Sequence, residues 1–247
     1  MEDTITKVKN GSRDGYAIPY YEIPYEKFFQ FRLSVDCVVF GYHESSLKGL
    51  TITRGAAPFK GSTALPGDLV YPNENLDAAA ERILNDLTGI SNLFLKQTGT
   101  YGEVSRHPAG RVITVGYYAL IDIAKHDPHA SAWADGVEWT AIEDIPKLAF
   151  DHNLILNDSL CYLREQVRKE PIAFRLLPEK FTLGELQDLF EAVLGSQYDK
   201  ANFRKKMLSL KLLKDTNELQ KDVPHRPGKL FTFNHESKNT SKYAFDL

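Results

Sequence analysis

Residues 32–43, RLSVDCVVFGYH, alternate apolar with polar positions and then run apolar, the pattern of a strand buried first on one face and then on both. Leu47 to Arg54 repeats the strand pattern and stops at Gly55. Leu95 to Tyr101 and Arg111 to Ile123 read as two further strands, and the second is rich enough in β-branched and aromatic residues to sit centrally in a sheet. Between these pairs the period changes. Leu76, Ala79, Ala80, Ile83, Leu84 and Leu87 recur at helical spacing, which predicts an amphipathic helix whose broad apolar face lies against a larger core. Asn75 serves as its N-cap, Asp77 places a negative charge in the first turn, and Gly89 supplies a left-handed stop.

The second half of the chain is patterned differently. A helix from Asp158 to Lys169, with Leu160, Leu163 and Val167 on one side, is expected to lead away from the sheet, with a domain boundary near Asn157. Just before it, Asp151 and His152 sit at the expected hinge, with Asp151 read as an N-cap. Thr182 and Glu185 then form a capping box for LGELQDLFEAVLG, which Gly195 ends, and Asp199 caps KANFRKKMLSLKLL. Two strand-like runs, LLKDTNEL and KLFTFN, follow, separated by DVPHRPG. Helix, short turn, helix and hairpin is the order of a winged helix-turn-helix. In the second helix Phe203, Met207 and Leu210 fall on one face. Asn202, Lys205, Lys206 and Ser209 then point outward, flanked by Lys200 and Arg204, with His225, Arg226 and Lys229 on the wing. An outward face of this chemistry is what base edges and phosphates require, so operator DNA is the expected partner.

Charge and composition sharpen the division. The net charge of −3 conceals a basic end, because residues 171–247 hold 13 Lys and Arg against 10 Asp and Glu. Cys37 and Cys161 are far apart and match no metal or redox spacing, which reads as reduced structural thiols and a cytoplasmic location. No apolar run approaches the ~20 residues of a membrane helix. Residues 1–31 crowd Tyr16, Tyr20, Tyr21, Tyr25, Phe28 and Phe29 around Pro19 and Pro24, an N-terminal extension expected to lie extended and bury its rings.

The predicted helix also carries a diminished chemical motif. Its polar residues follow G-x5-E-x7-R-E-U-x-E-E-x-G-U, the Nudix box, in which U is aliphatic. Glu74, Arg82, Leu84, Gly89 and Ile90 match, whereas Asp68 replaces the first glycine and Ile83, Asp86 and Leu87 stand where the pattern has glutamates. In that family the glutamates hold a divalent cation on a diphosphate; here only Asp86 keeps a carboxylate, so no catalytic residue, metal or cofactor is expected. Arg82 instead pairs with Glu74, tying helix to loop. Around the box, Arg54 at a strand end faces the loop, Phe59 plugs the core beside it, and EVSRHPAGR carries Glu103, Arg106, His107 and Arg111. With Glu74, Arg82, Asp86, Asp151 and His152 these form the candidate small-molecule site.

A decayed Nudix box followed by a winged helix resembles the NrtR-like, Nudix-related bacterial transcriptional regulators. The resemblance rests also on VDCVVF, TRGAAPFKG, ALPGDLV, QTGTYGEV, GRVITVGYYAL, LAFDH and LLPEKFTLGELQDLFEAVLGSQYDKANFRKKML. It implies an α+β chain. On that resemblance residues 32–156 are expected to form a Nudix-type α/β/α sandwich with a mixed sheet that senses an effector, and residues 157–247 a winged helix that binds DNA. It further implies a homodimer whose effector is ADP-ribose or a sugar such as arabinose. The loss of metal ligands and the tyrosines of the extension tilt that choice toward a sugar. Two other readings are a Nudix hydrolase of nucleoside-diphosphate derivatives, against which Ile83 and Leu87 argue, and a protein-interaction module, against which the outward lysines argue.

Overall fold

The computed structural model describes residues 31–221, 223–224, 226–237 and 244–245. The extension expected over residues 1–31, apart from Phe31, lies outside the described residues, as does His225.

The first half is built of β1 (Arg32–His43), β2 (Ser46–Arg54), β3 (Thr63–Ala64), β4 (Gly67–Leu69), α1 (Leu76–Thr88), β5 (Phe94–Tyr101), β6 (Val112–Ile121), β7 (Ala134–Ala141) and α2 (His152–Lys169). The strand order is β3-β2-β1-β6-β5, with β4 added to β1 and β7 to β2. β1 and β6 run parallel and the other pairs antiparallel, so the sheet is mixed. Because side chains alternate across a strand, two apolar layers form. Val35, Cys37 and Val39 of β1, with Tyr117 and Ala119 of β6, pack with Ile83, Leu84 and Leu87 of α1. Val38, Phe40, Tyr118 and Leu120 face the other way and pack with Ile155, Leu156 and Leu163 of α2. This is the α/β/α sandwich.

The same alternation has a consequence for function. Ser34 and Asp36 share the α2 side of β1 with Val38 and Phe40, so a carboxylate is carried into the layer beneath the start of α2. Asp36 is buried there.

Two expectations are corrected by the structure, and one strand is added. The helix opened at Asp151-His152 runs unbroken through Asp158 as α2, and it lies against β1, β5 and β6 rather than leading away from the sheet. Asp151 makes no capping bond, because its carboxylate is taken by Arg106. Finally β7, which carries two acids and a glycine and so shows little strand pattern, is held by its ladder with β2.

The second half follows its local signals closely. After a 3-10 turn at Pro171–Leu176 come β8 (Phe181–Thr182), α3 (Leu183–Leu194), α4 (Lys200–Ser209), β9 (Leu213–Leu219) and β10 (Lys229–Phe233). Thr182 and Glu185 complete their reciprocal capping box, and Gly195 ends α3 at φ 66°. Asp199 accepts the Asn202 amide at the start of α4. β8, β10 and β9 form a three-stranded sheet, giving a winged helix. Phe190 of α3 meets Phe203 of α4 edge-on at 5.7 Å, and Phe245 packs on both. The apolar cluster on the α2 side of the main sheet continues through Leu163 and Val167 into Phe174, Leu186 and Phe190. Residues 32–247 therefore form one compact unit.

Candidate functional site

A cavity of about 280 Å³ opens where the ends of β1, β2 and β4 meet the start of α2. Its polar wall is a buried charge network. Arg106 grips Asp151 through two hydrogen bonds, Nε to Oδ2 at 2.8 Å and an Nη to Oδ1 at 2.7 Å, and reaches Asp36 at 3.3 Å. Fork-to-fork geometry of this kind is the strong form of the arginine–carboxylate pair. The Leu65 amide donates to Nδ1 of His152 at 3.0 Å, which leaves the imidazole proton on Nε2, 3.4 Å from Asp36 Oδ1. Burial pushes this imidazole below its ordinary value, while Asp36 and Asp151 pull it back. Arg106 is held charged because its bonds to the two carboxylates outweigh burial. Gly67 is required here, since a Cβ would come within 1.9 Å of Asp36 Oδ1.

The other wall is aromatic. The Arg54 guanidinium lies 4.8 Å from the centre of the Trp133 ring and 4.9 Å from that of Phe150. Its Nε donates to the Pro58 carbonyl at 2.8 Å, and its two terminal nitrogens have no hydrogen-bond partner among the described residues. Burial lowers its affinity for its proton, against Asp36 and Asp68. Trp133 donates to Asp68 at 3.3 Å, and His107 stacks on Phe150 with centroids 5.0 Å apart. His107 is biased toward the neutral form by burial, by Arg106 and by Arg54. Phe59 is not the expected core plug. It is 44% exposed and meets Phe150 edge-on at 4.7 Å, on left-handed backbone at φ 62°. Phe150 is also left-handed, at φ 55°. Such backbone persists only where surrounding contacts over-determine it, and it concentrates at ligand sites.

Of the residues expected from sequence, Arg54, Arg106 and His152 line this cavity, with Asp151 behind Arg106 and Phe59 at Phe150. Glu74, Arg82 and Asp86 gather elsewhere. Arg82 binds Glu74 through two bonds of 2.7 and 2.9 Å, donates to the Leu69 carbonyl, lies 3.8 Å over Tyr71, and approaches Asp86 at 3.6 Å. Glu103 binds the Val104 amide, and Arg111 the Gly102 carbonyl, so both shape their own loop.

The divalent cation of the Nudix box does not fit these residues. Ile83 and Leu87 are buried apolar side chains in the layer against the sheet. Glu74 is committed to Arg82, and Asp86, itself approached by Arg82, is the one carboxylate left at the three glutamate positions of the box. Among the described residues no group of three or more His, Cys, Asp or Glu is arranged to hold a metal.

The C-terminal half presents a basic cleft between α4 and the wing. Lys200 and Arg204 line it from the helix and Arg226 and Lys229 from the hairpin. Asn202 and Lys205 are exposed on the helix, Lys206 is half-buried, and the Ser209 hydroxyl donates to the Lys206 carbonyl at 2.7 Å. Phe203 and Met207 are buried, as their spacing predicted. Lys229 is held by Asp215 at 2.8 Å.

Two family profiles divide the chain along these lines. One described as NUDIX domain matches residues 30–158, and one described as NrtR DNA-binding winged helix domain matches residues 173–233. Over 205 residues the sequence is 33% identical to the ADPR responsive transcriptional repressor NtrR of Acinetobacter baylyi, a match covering 81% of each chain. The chain belongs to the NrtR family. The crystal structure of Shewanella oneidensis NrtR complexed with a 27mer DNA superposes with a TM-score of 0.70 at 30% identity, covering 86% of this chain and 97% of that one. The Nudix domain of the same protein with ADP ribose gives 0.52 at 30% identity, covering 59% and 94%. An ADP-ribose pyrophosphatase of Methanocaldococcus jannaschii is 33% identical over 132 residues, 53% of this chain and 77% of that relative.

For this NrtR-family chain, sequence reasoning missed Asp36, Trp133 and Phe150 as cavity walls, whereas His107 came with the loop that carries Arg106. Asp36 carried a usable signal, an acid inside an apolar central strand. Trp133 and Phe150 carried none, because lone aromatics beside loops are ordinary core residues. Among the described residues no helix is long and apolar enough to cross a membrane.

Proposed function

We propose that the protein is an effector-responsive transcriptional regulator in which residues 32–156 sense a small molecule and residues 157–247 bind operator DNA as part of a homodimer, in the cytoplasm. The observation that carries this reading is the pairing, in one compact unit, of an aromatic and cationic cavity with a basic cleft beside α4. ADP-ribose is the effector we favour over a sugar. Arg54 offers two unengaged donors between Trp133 and Phe150, which suits a diphosphate flanked by a stacking base or ribose. The sugar reading leaned on the lost metal ligands of the box, and Arg54 can supply to a diphosphate the positive charge that a metal would bring. Relatives named for ADP-ribose point the same way.

The test joins the two sites. ADP-ribose is expected to raise the melting temperature, since a ligand that binds only the native state stabilises it, and to change operator affinity at saturation. Arg54→Ala should abolish both effects. Stabilisation by arabinose alone, or stabilisation without any change in operator affinity, would defeat the reading.

A second reading, ADP-ribose hydrolysis, is favoured by the pyrophosphatase relative. The burial of Ile83 and Leu87 opposes it. Turnover of ADP-ribose with Mg²⁺ above the rate without protein, abolished by Asp86→Ala, would establish it.

A further inference from the structure

A second cavity, about 690 Å³, lies away from the one above, where the start of β5, the 3-10 turn and the end of β10 converge. Its apolar surface is aromatic. Phe174 and Phe233 approach to 4.6 Å between centroids, and Phe174 to Phe181 is 5.8 Å. Phe94 forms the opposite wall, and the Arg175 guanidinium sits 4.1 Å over its ring.

The charges are unequally satisfied. Glu170 is engaged by Lys96 at 3.1 Å, and Lys125 by Asp122 at 3.3 Å. Arg175 has no carboxylate within ion-pair distance among the described residues. Behind Phe94, with ring centroids 6.3 Å apart, lies Tyr118, which is fully buried and whose hydroxyl has no hydrogen-bond partner among the described residues. An aromatic lining with a few convergent polar groups, placed where two folded parts meet, is the usual anatomy of a small-molecule site.

We propose that this cavity is a second ligand site, taking a small planar aromatic anion whose ring enters among Phe94, Phe174 and Phe233 and whose charged group meets Arg175 and Lys125. Ring-on-ring contact suits a flat aromatic body, and a guanidinium already stacked on Phe94 keeps its edge for an anion. Because its walls come from the main sheet edge and from the wing strand, a ligand here touches both halves of the chain. The proposal does not depend on the effector assigned to the first cavity.

The test uses the full chain and 8-anilinonaphthalene-1-sulfonate as probe, read by fluorescence. One saturable site per chain is expected, with displacement by 1-naphthoate. Arg175→Glu should weaken binding at least tenfold without changing the circular dichroism spectrum. Arg54→Ala should leave the titration unchanged. Lys125→Glu, also on the surface, should weaken binding and decides the matter if Arg175→Glu does not fold. Non-saturating binding, an affinity indifferent to both charge reversals, or loss of binding in Arg54→Ala would overturn the proposal.

Discussion

Asp36 shows how much one residue can organise. It sits in a central strand with apolar neighbours, and its carboxylate meets Arg106 and His152 below the start of α2. A buried ion pair of this kind contributes little net stability over an apolar substitute, but breaking it leaves charge stranded. Arg106→Met should therefore cost about 3–5 kcal/mol, seen as a lower denaturant midpoint, because it leaves both Asp36 and Asp151 without their cation. A loss below about 1 kcal/mol would mean that water reaches both carboxylates. His152 supplies a pH test. Its native affinity for a proton is below that of an unfolded histidine, chiefly through burial, so the unfolded chain binds the extra proton. Stability from this group is complete above the ordinary histidine pKa of about 6.5 and falls as pH drops below it. Denaturation midpoints followed from pH 8 to 5 should decline more steeply in the parent than in His152→Gln. Parallel declines would show that the imidazole does not titrate between the two states.

At the scale of the element, the helices whose ends were predicted correctly are those whose ends are local. Asn75 and Gly89 bound α1, and Thr182 and Gly195 bound α3, each by bonds within four or so residues. Thr182→Ala removes the side-chain acceptor of the Glu185 amide while keeping the backbone donor to the Glu185 carboxylate, so it should lower stability by about 1 kcal/mol in urea melts. An unchanged midpoint would show that solvent replaces the capping box at no cost. α2 behaved differently. Asp151 stands where a cap would, but Arg106, 45 positions away in sequence, claims its carboxylate. Only the fold brings that arginine there. The box helix illustrates the reverse case: Ile83 and Leu87, which cost it a metal site, complete its apolar face against the sheet.

At the scale of the molecule, the cavity and the cleft belong to one compact unit joined by the continuous apolar cluster along α2. On the proposed reading, a ligand that favours one arrangement of that unit over another would shift DNA binding by its differential affinity. For the cleft, Lys200 and Arg204 project from the helix and Arg226 and Lys229 from the wing. The double variant Lys200→Ala, Arg204→Ala should weaken operator binding and reduce the slope of log affinity against log salt by nearly 2, since each lost phosphate contact removes about 0.9. An unchanged slope would mean that this face does not meet the phosphate backbone.

The strands β1, β2, β5 and β6, the three capped helices α1, α3 and α4, the winged-helix order and the loss of the box glutamates were all legible in the sequence, because periodicity, capping and residue chemistry act within a turn or a strand. The tertiary structure alone decided the rest. It added β7, whose residues carry little strand preference and are held by the ladder with β2. It separated Glu74, Arg82 and Asp86 from the cavity while drawing Asp36, His107, Trp133 and Phe150 into it. Those residues come from strand and loop positions distant in sequence, and sequence spacing carries no record of distances set by which strand pairs with which. Local interactions are written along the chain, whereas a cavity is written in the packing.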